Sequence, residues 1–152
     1  MTQTTSQPEG GCSCRQLRYR LQYRPERDDR DPDRVELLVG AADVVDTPSA
    51  SGKGQKISRC PSCRVAVWSN YAGAGDSVRF VRVGTLDDPA PFPLDIHIFT
   101  ASKQAWVVLG EVPAMAQPYR AVEYWPRESL ERKTALQARV QQLALAPGSP
   151  GR

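Results

Sequence analysis

Cys60-Pro-Ser-Cys-Arg-Val-Ala-Val-Trp68 decides how the rest of the chain is read. Two thiols with a proline and a serine between them make a tight turn. The residues that follow, Val65-Ala-Val-Trp68, are mostly β-branched or aromatic and favour a strand. A second close pair, Cys12-Ser-Cys14, stands near the start behind Gly10-Gly11, whose missing side chains free the backbone for a tight knuckle. These are all the cysteines of the chain, and each pair opens onto a strand.

Three readings of the four cysteines compete. In the first, two pairs of thiolates supply the four corners of a tetrahedral zinc site, Cys12, Cys14, Cys60 and Cys63, with Zn–S near 2.3 Å. Clamping the pairs together would close a long loop and stabilise a chain rich in polar loops. In the second, Cys60-Pro-Ser-Cys63 is a redox motif of thioredoxin type, which lowers its thiol pKa at a helix N-terminus. The strand-like sequence after Cys63 argues against that helix. In the third, the cysteines are disulfides or inert buried thiols, and disulfides are disfavoured in an intracellular setting. Ligand count and spacing favour zinc. With four protein ligands such a site is closed, so this metal reads as structural rather than catalytic.

Outward from the cysteines, residues 15–24 alternate. Leu17, Tyr19, Leu21 and Tyr23 fall on one face, with Arg18, Arg20, Gln22 and Arg24 on the other, as in a half-buried strand. Arg24-Pro-Glu-Arg-Asp-Asp-Arg-Asp-Pro-Asp-Arg34 has no apolar residue and reads as a solvated loop. Further strands are expected at 35–39, 65–68, 78–83, 96–99 and 106–109, with turns at 47–55, 72–76 and 84–89. Short strands with turns between them describe a mainly β domain of antiparallel sheets. The exception is 127–145, where helix formers carry Leu136, Val140 and Leu143 at helical spacing. Pro126 suits the helix start and Pro147-Gly148 its end. The stripe reads as core-facing, with a partner-binding helix as the alternative. The expected organisation is a tail over 1–9, a zinc-pinned β domain over 10–125, a C-terminal helix over 126–146 and a tail over 147–152.

Composition narrows the function classes. At 152 residues, 40% hydrophobic and 24% charged, the chain is sized for one core and is not disordered throughout. The longest apolar run, Ala105-Trp-Val-Val-Leu109, is far short of the roughly 20 residues of a membrane span. Residues 1–10 carry no basic residue and no apolar run, which argues against a secretory signal and for a cytoplasmic protein. The net charge of +3 comes from mixed signs with no basic block, so a nucleic-acid partner is not expected. A single histidine, His97, rules out a zinc site of two or three histidines within one chain.

Several motifs together resemble a known family. Gly10-Gly-Cys-Ser-Cys14 with Arg18-Tyr19, Ser51-Gly-Lys-Gly54 followed by Cys60-Pro-Ser-Cys63, Gly84-Thr-Leu-Asp-Asp88, His97-Ile98, and Lys103 with Trp106 resemble the glutathione-dependent formaldehyde-activating enzyme and centromere protein V family. The resemblance runs from about Gly10 to Leu109. It implies a zinc-pinned antiparallel β fold with a structural zinc on Cys12, Cys14, Cys60 and Cys63. It also implies carbon–sulfur lyase chemistry that joins formaldehyde to the thiol of glutathione, so glutathione or another small thiol is the implied partner. The family assigns that chemistry to a second zinc on a middle Cys-x-Cys-x-x-Cys element. Here the Arg/Asp/Pro run stands in its place, so the implied activity is impaired; the alternative is a non-enzymatic zinc-stabilised binding scaffold. Arg15 and Arg64 stand where the family favours glycine, and Arg59 where it favours an aromatic.

Other residues have plainer readings. His97 between Ile96 and Ile98 reads as a hydrogen-bonded strand histidine, with a place at a thiol pocket as the alternative. Asp87 and Asp88 read as backbone caps in a turn rather than an acid/base pair. Trp68, Tyr71 and Trp106 read as core, and Arg18 and Arg20 as a solvated edge.

Overall fold

The computed structural model describes residues 7–22, 35–49, 52–72, 75–76 and 78–145. The polar run 24–34, residues 1–6 and the tail 147–152 lie outside them. The chain divides into two compact units, Met1–Pro91 and Phe92–Arg152.

The first unit is built from two antiparallel sheets. β1 (Glu9–Gly11), β2 (Arg18–Leu21) and β3 (Val35–Val39) form one sheet in that order. β4 (Asp43–Thr47), β5 (Gln55–Arg59), β6 (Ala66–Tyr71) and β7 (Phe80–Val81) form the other, again in chain order. Each strand pairs with its sequence neighbour, as short connections favour. The expected strand at 15–24 is cut to four described residues because residues 12–17 fold back on themselves: the Cys12 N–H donates to the Leu17 carbonyl at 3.0 Å. β1 begins at Glu9, inside the stretch expected to be tail. β4 and β5 carry too few apolar residues to announce themselves, yet pair in full register from Asp43↔Arg59 to Thr47↔Gln55. The strand expected at 78–83 shrinks to two residues and continues as a 3₁₀ turn, Val83–Thr85.

The core of this unit gathers Leu17, Tyr19, Val35, Ile57, Val67, Trp68 and Leu86 with Cys12 and Cys60. Tyr19 meets Trp68 edge-on, ring centres 5.7 Å apart, and shares a 2.7 Å hydroxyl hydrogen bond with Thr85 Oγ1. A buried phenol thus keeps a partner for its polar end. Trp68 is core as expected. Tyr71 is exposed, stacked edge-on against Phe80 at 4.9 Å beside the sheet margin.

The second unit contains a 3₁₀ turn (Thr100–Ser102), α1 (Ala121–Tyr124) and α2 (Arg127–Leu145). α2 falls where the sequence places a helix, and an Arg127–Glu131 pair at i,i+4 supports its first turns. Val140 and Leu143 of its stripe lie outside the residues whose side chains are described. The strands expected at 96–99 and 106–109 are not formed. His97 makes one isolated bridge to Ala114, and the Val107 N–H closes a turn onto the Gln104 carbonyl. With no neighbouring strand among the described residues, the apolar run stays open: Trp106 is 79% and Val108 94% exposed. Trp106 is therefore not a core residue. Among the described residues no helix is long and apolar enough to cross a membrane.

Candidate metal centre

Two knuckles bring the cysteines together. The first links β1 to β2, the second β5 to β6, and they share one hydrogen-bond plan. The Cys12 N–H donates to the Leu17 carbonyl and the Cys60 N–H to the Val65 carbonyl, at 3.0 and 2.9 Å. Inside these loops Arg15 N–H bonds the Cys12 carbonyl, and Arg64 N–H the Cys60 carbonyl, each at 3.0 Å. The Ser62 hydroxyl donates to Gln16 Oε1, tying one knuckle to the other. Cys60-Pro-Ser-Cys63 thus turns between two strands. The helix that a thioredoxin-type motif needs is not there, which overturns the redox reading of that pair.

The left-handed positions of the two knuckles are held by arginines. Arg15 has φ +62° and Arg64 +60°, whereas Gly10 and Gly11 are not in that region. The two glycines serve close approach instead: a Cβ on Gly10 would sit 2.5 Å from the Thr85 carbonyl oxygen, and one on Gly11 2.3 Å from that of Leu17. A side chain in the left-handed region costs roughly 1–2 kcal/mol. Part of the gain from glycine is offset by its looser unfolded chain. Arg15→Gly is accordingly expected to stabilise the fold by about 0.5–1 kcal/mol, read as a raised midpoint in urea. Arg64→Gly should gain less, because Arg64 is also ion-paired to Asp43.

All four cysteines are free thiols. Their sulfurs lie within 4.8 Å of one another, with Cys12–Cys14 at 3.4 Å and Cys14–Cys60 at 3.6 Å. A regular tetrahedron with bonds of 2.3 Å places its sulfurs about 3.8 Å apart, so the cluster has the size and donor chemistry of a metal site. Backbone N–H groups point at the sulfurs: that of Leu17 reaches Cys12 Sγ at 3.3 Å.

The protons are unevenly shared. The N–H groups of Val65 and Cys14 hold the Cys63 thiol down to about 6. Cys12 is also lowered: burial opposes its ionisation, but the Leu17 N–H and the Cys14 and Cys60 thiols outweigh burial. Cys14 is pushed up to about 12; the Gln16 N–H pulls it down, but its three neighbouring sulfurs outweigh that bond. Four thiolates together need a cation. At pH 8 Cys63 is already a thiolate while Cys14 keeps its proton, so uptake of a divalent ion must release the Cys14 proton. Affinity is expected to rise with pH from 6 to 8 and to fall further below 6, where Cys63 also binds a proton. Titration calorimetry in two buffers of different ionisation enthalpy measures the protons released.

The other candidates separate. Arg18 and Asp87 form a two-pronged pair, Nη1 to Oδ1 at 2.7 Å, with Glu9 3.6 Å from the same guanidinium. Arg20 pairs with Glu9 at 2.6 Å and Glu36 at 3.5 Å. These arginines are thus tied to acids rather than a free solvated edge, and Asp87 is an ion-pair partner rather than a cap. Asp88 does cap, accepting from the Ala90 N–H at 3.1 Å. The pairing of Arg18 and Asp87 holds the first knuckle to the 84–87 turn, a link across 69 residues that spacing alone does not reveal. His97 uses both backbone groups, to Pro113 and Met115, but its buried Nε2 finds no partner among the described residues. The expected hydrogen-bonded ring is therefore corrected.

Comparison with known families finds that a family model described as "Glutathione-dependent formaldehyde-activating enzyme" matches residues 30–102. The resemblance read from the sequence is borne out over that stretch. It includes Cys60, Cys63 and the 84–88 motif; Cys12 and Cys14 lie before it and are brought in by the fold. A search of curated proteins finds no match.

Proposed function

We propose, from the formaldehyde-activating-enzyme match over residues 30–102, that this chain is a zinc-binding domain of that kind whose single metal is structural. Cys12, Cys14, Cys60 and Cys63 would hold one Zn²⁺. The observation that carries the proposal is the gathering of all four sulfurs within 4.8 Å. Zinc bound by four thiolates supplies a cross-link and offers no open position for a substrate. The backbone N–H groups of Leu17, Gln16 and Val65 stabilise the thiolates, and the two knuckles bring them to one point. A reducing compartment such as the cytoplasm keeps such thiols available.

The carbon–sulfur lyase chemistry implied by the resemblance, acting on adducts of glutathione or a similar thiol, is impaired in this reading. It calls for a second set of zinc-binding cysteines, and the four present are committed to one cluster. The test follows adduct formation from formaldehyde and glutathione by NMR with zinc-loaded protein. The expected rate equals that of the uncatalysed reaction. A saturable acceleration lost on zinc removal would overturn the reading. Glutathione titration then separates an impaired lyase, which still binds the thiol saturably, from a zinc-stabilised scaffold, which does not.

A further inference from the structure

The four sulfurs differ in access. Cys12 and Cys60 are buried, Cys63 is half-buried and Cys14 is exposed. With the metal bound all four sulfurs would be thiolates, so access alone separates them, and a diffusing oxidant meets Cys14 first. Two of its three neighbouring sulfurs lie within hydrogen-bond distance, Cys12 at 3.4 Å and Cys60 at 3.6 Å, and Cys63 belongs to the same cluster within 4.8 Å. Cys12 is only two residues away, and its carbonyl and sulfur are held by the N–H groups of Arg15 and Leu17. A disulfide there would have to close a small ring inside a hydrogen-bonded knuckle, against the dihedral a disulfide prefers. Cys60 comes from the other knuckle, 46 residues on, with no such ring to close.

We infer that Cys14 is a site of oxidation by hydroperoxides, resolved by Cys60 into a disulfide that displaces the metal ion and takes over its tie between the two sheets. The Cys14 sulfur attacks a peroxide oxygen; the O–O bond breaks and the departing oxygen takes up a proton as water or alcohol. The Cys60 thiolate then attacks the sulfenic sulfur of Cys14, the S–O bond breaks, and hydroxide leaves as water. Two electrons pass from the sulfur pair to the peroxide. Two of four ligands are lost, and Cys12 and Cys63 alone do not retain the ion. The identity of that ion rests on the zinc reading above; the thiol chemistry does not.

The test treats the reduced, metal-loaded full chain with hydrogen peroxide in molar excess. Zinc release is followed with a chromogenic chelator, the intact mass is recorded, and free thiols are alkylated before tryptic mapping. The expected result is loss of two hydrogens per chain, stoichiometric zinc release, a Cys14–Cys60 crosslink with Cys12 and Cys63 alkylated, and a retained far-UV spectrum. A Cys14–Cys63, Cys12–Cys14 or Cys60–Cys63 disulfide, a crosslink between chains, or intact thiols and bound zinc after prolonged exposure would overturn the inference. If the purified chain carries no zinc, the zinc reading fails. A Cys14–Cys60 crosslink would still uphold the Cys14 assignment, and its absence would still overturn it.

Discussion

Cys60→Ser is expected to leave the chain without bound zinc and its first unit unfolded at 25 °C. Cys60 is fully buried and opens the second knuckle, 3.6 Å from Cys14 of the first. A serine oxygen in its place is a poor zinc ligand and a buried hydroxyl without a partner. Structural zinc contributes on the order of 10–16 kcal/mol in small metal-folded domains. A whole domain is stable by only about 5–15 kcal/mol, so losing the metal removes most of what holds this unit together. The core gives the readout. Trp68 is 5% exposed against Tyr19, so its emission should shift to the red as the unit opens. Trp106→Ala, at a residue already 79% exposed, is the matched control and should change stability by less than about 0.5 kcal/mol.

Gly40→Ala is expected to destabilise by about 3 kcal/mol while one zinc per chain remains bound. Gly40 turns the chain from β3 to β4 at φ +71°, and a Cβ there would sit 2.0 Å from the Gln16 carbonyl oxygen. That oxygen belongs to the first knuckle, so the added methyl has backbone in front of it and nothing flexible to displace. Gly52 separates the two contributions. Its φ is +73° but a Cβ there meets nothing within 4 Å, so Gly52→Ala should show left-handed strain alone, about 1 kcal/mol. Urea midpoints of the two variants, at equal slope, measure the difference. Equal losses would contradict the packing of Gly40 against Gln16.

The elements legible in the sequence are those with a local signal. The alternation around Tyr19 marks β2, the run after Cys63 marks β6, and helix formers between two prolines mark α2. The cysteine pairs were legible because ligand spacing is itself local. What the sequence hid depends on partners far along the chain. β4 and β5 exist because they pair with each other and β5 pairs with β6, not because Asp43-Val-Val-Asp-Thr47 or Gln55-Lys-Ile-Ser-Arg59 look like strands. Conversely, Trp106-Val-Val-Leu109 has strand-forming residues but no partner strand among the described residues. The roles of Arg18 and Asp87 were missed for the same reason, since their pairing spans the whole first unit. The glycines were read only in part. Gly10 and Gly11 are required by crowding, as their place before the first knuckle suggests, while the positive φ of the knuckles falls on Arg15 and Arg64.

Zinc content per chain, measured by elemental mass spectrometry on reduced, purified protein, tests the central claim most directly. One zinc per chain, lost together with the folded first unit in Cys60→Ser, is the predicted result. A folded chain that carries no zinc, or one that keeps its zinc without Cys60, would contradict it.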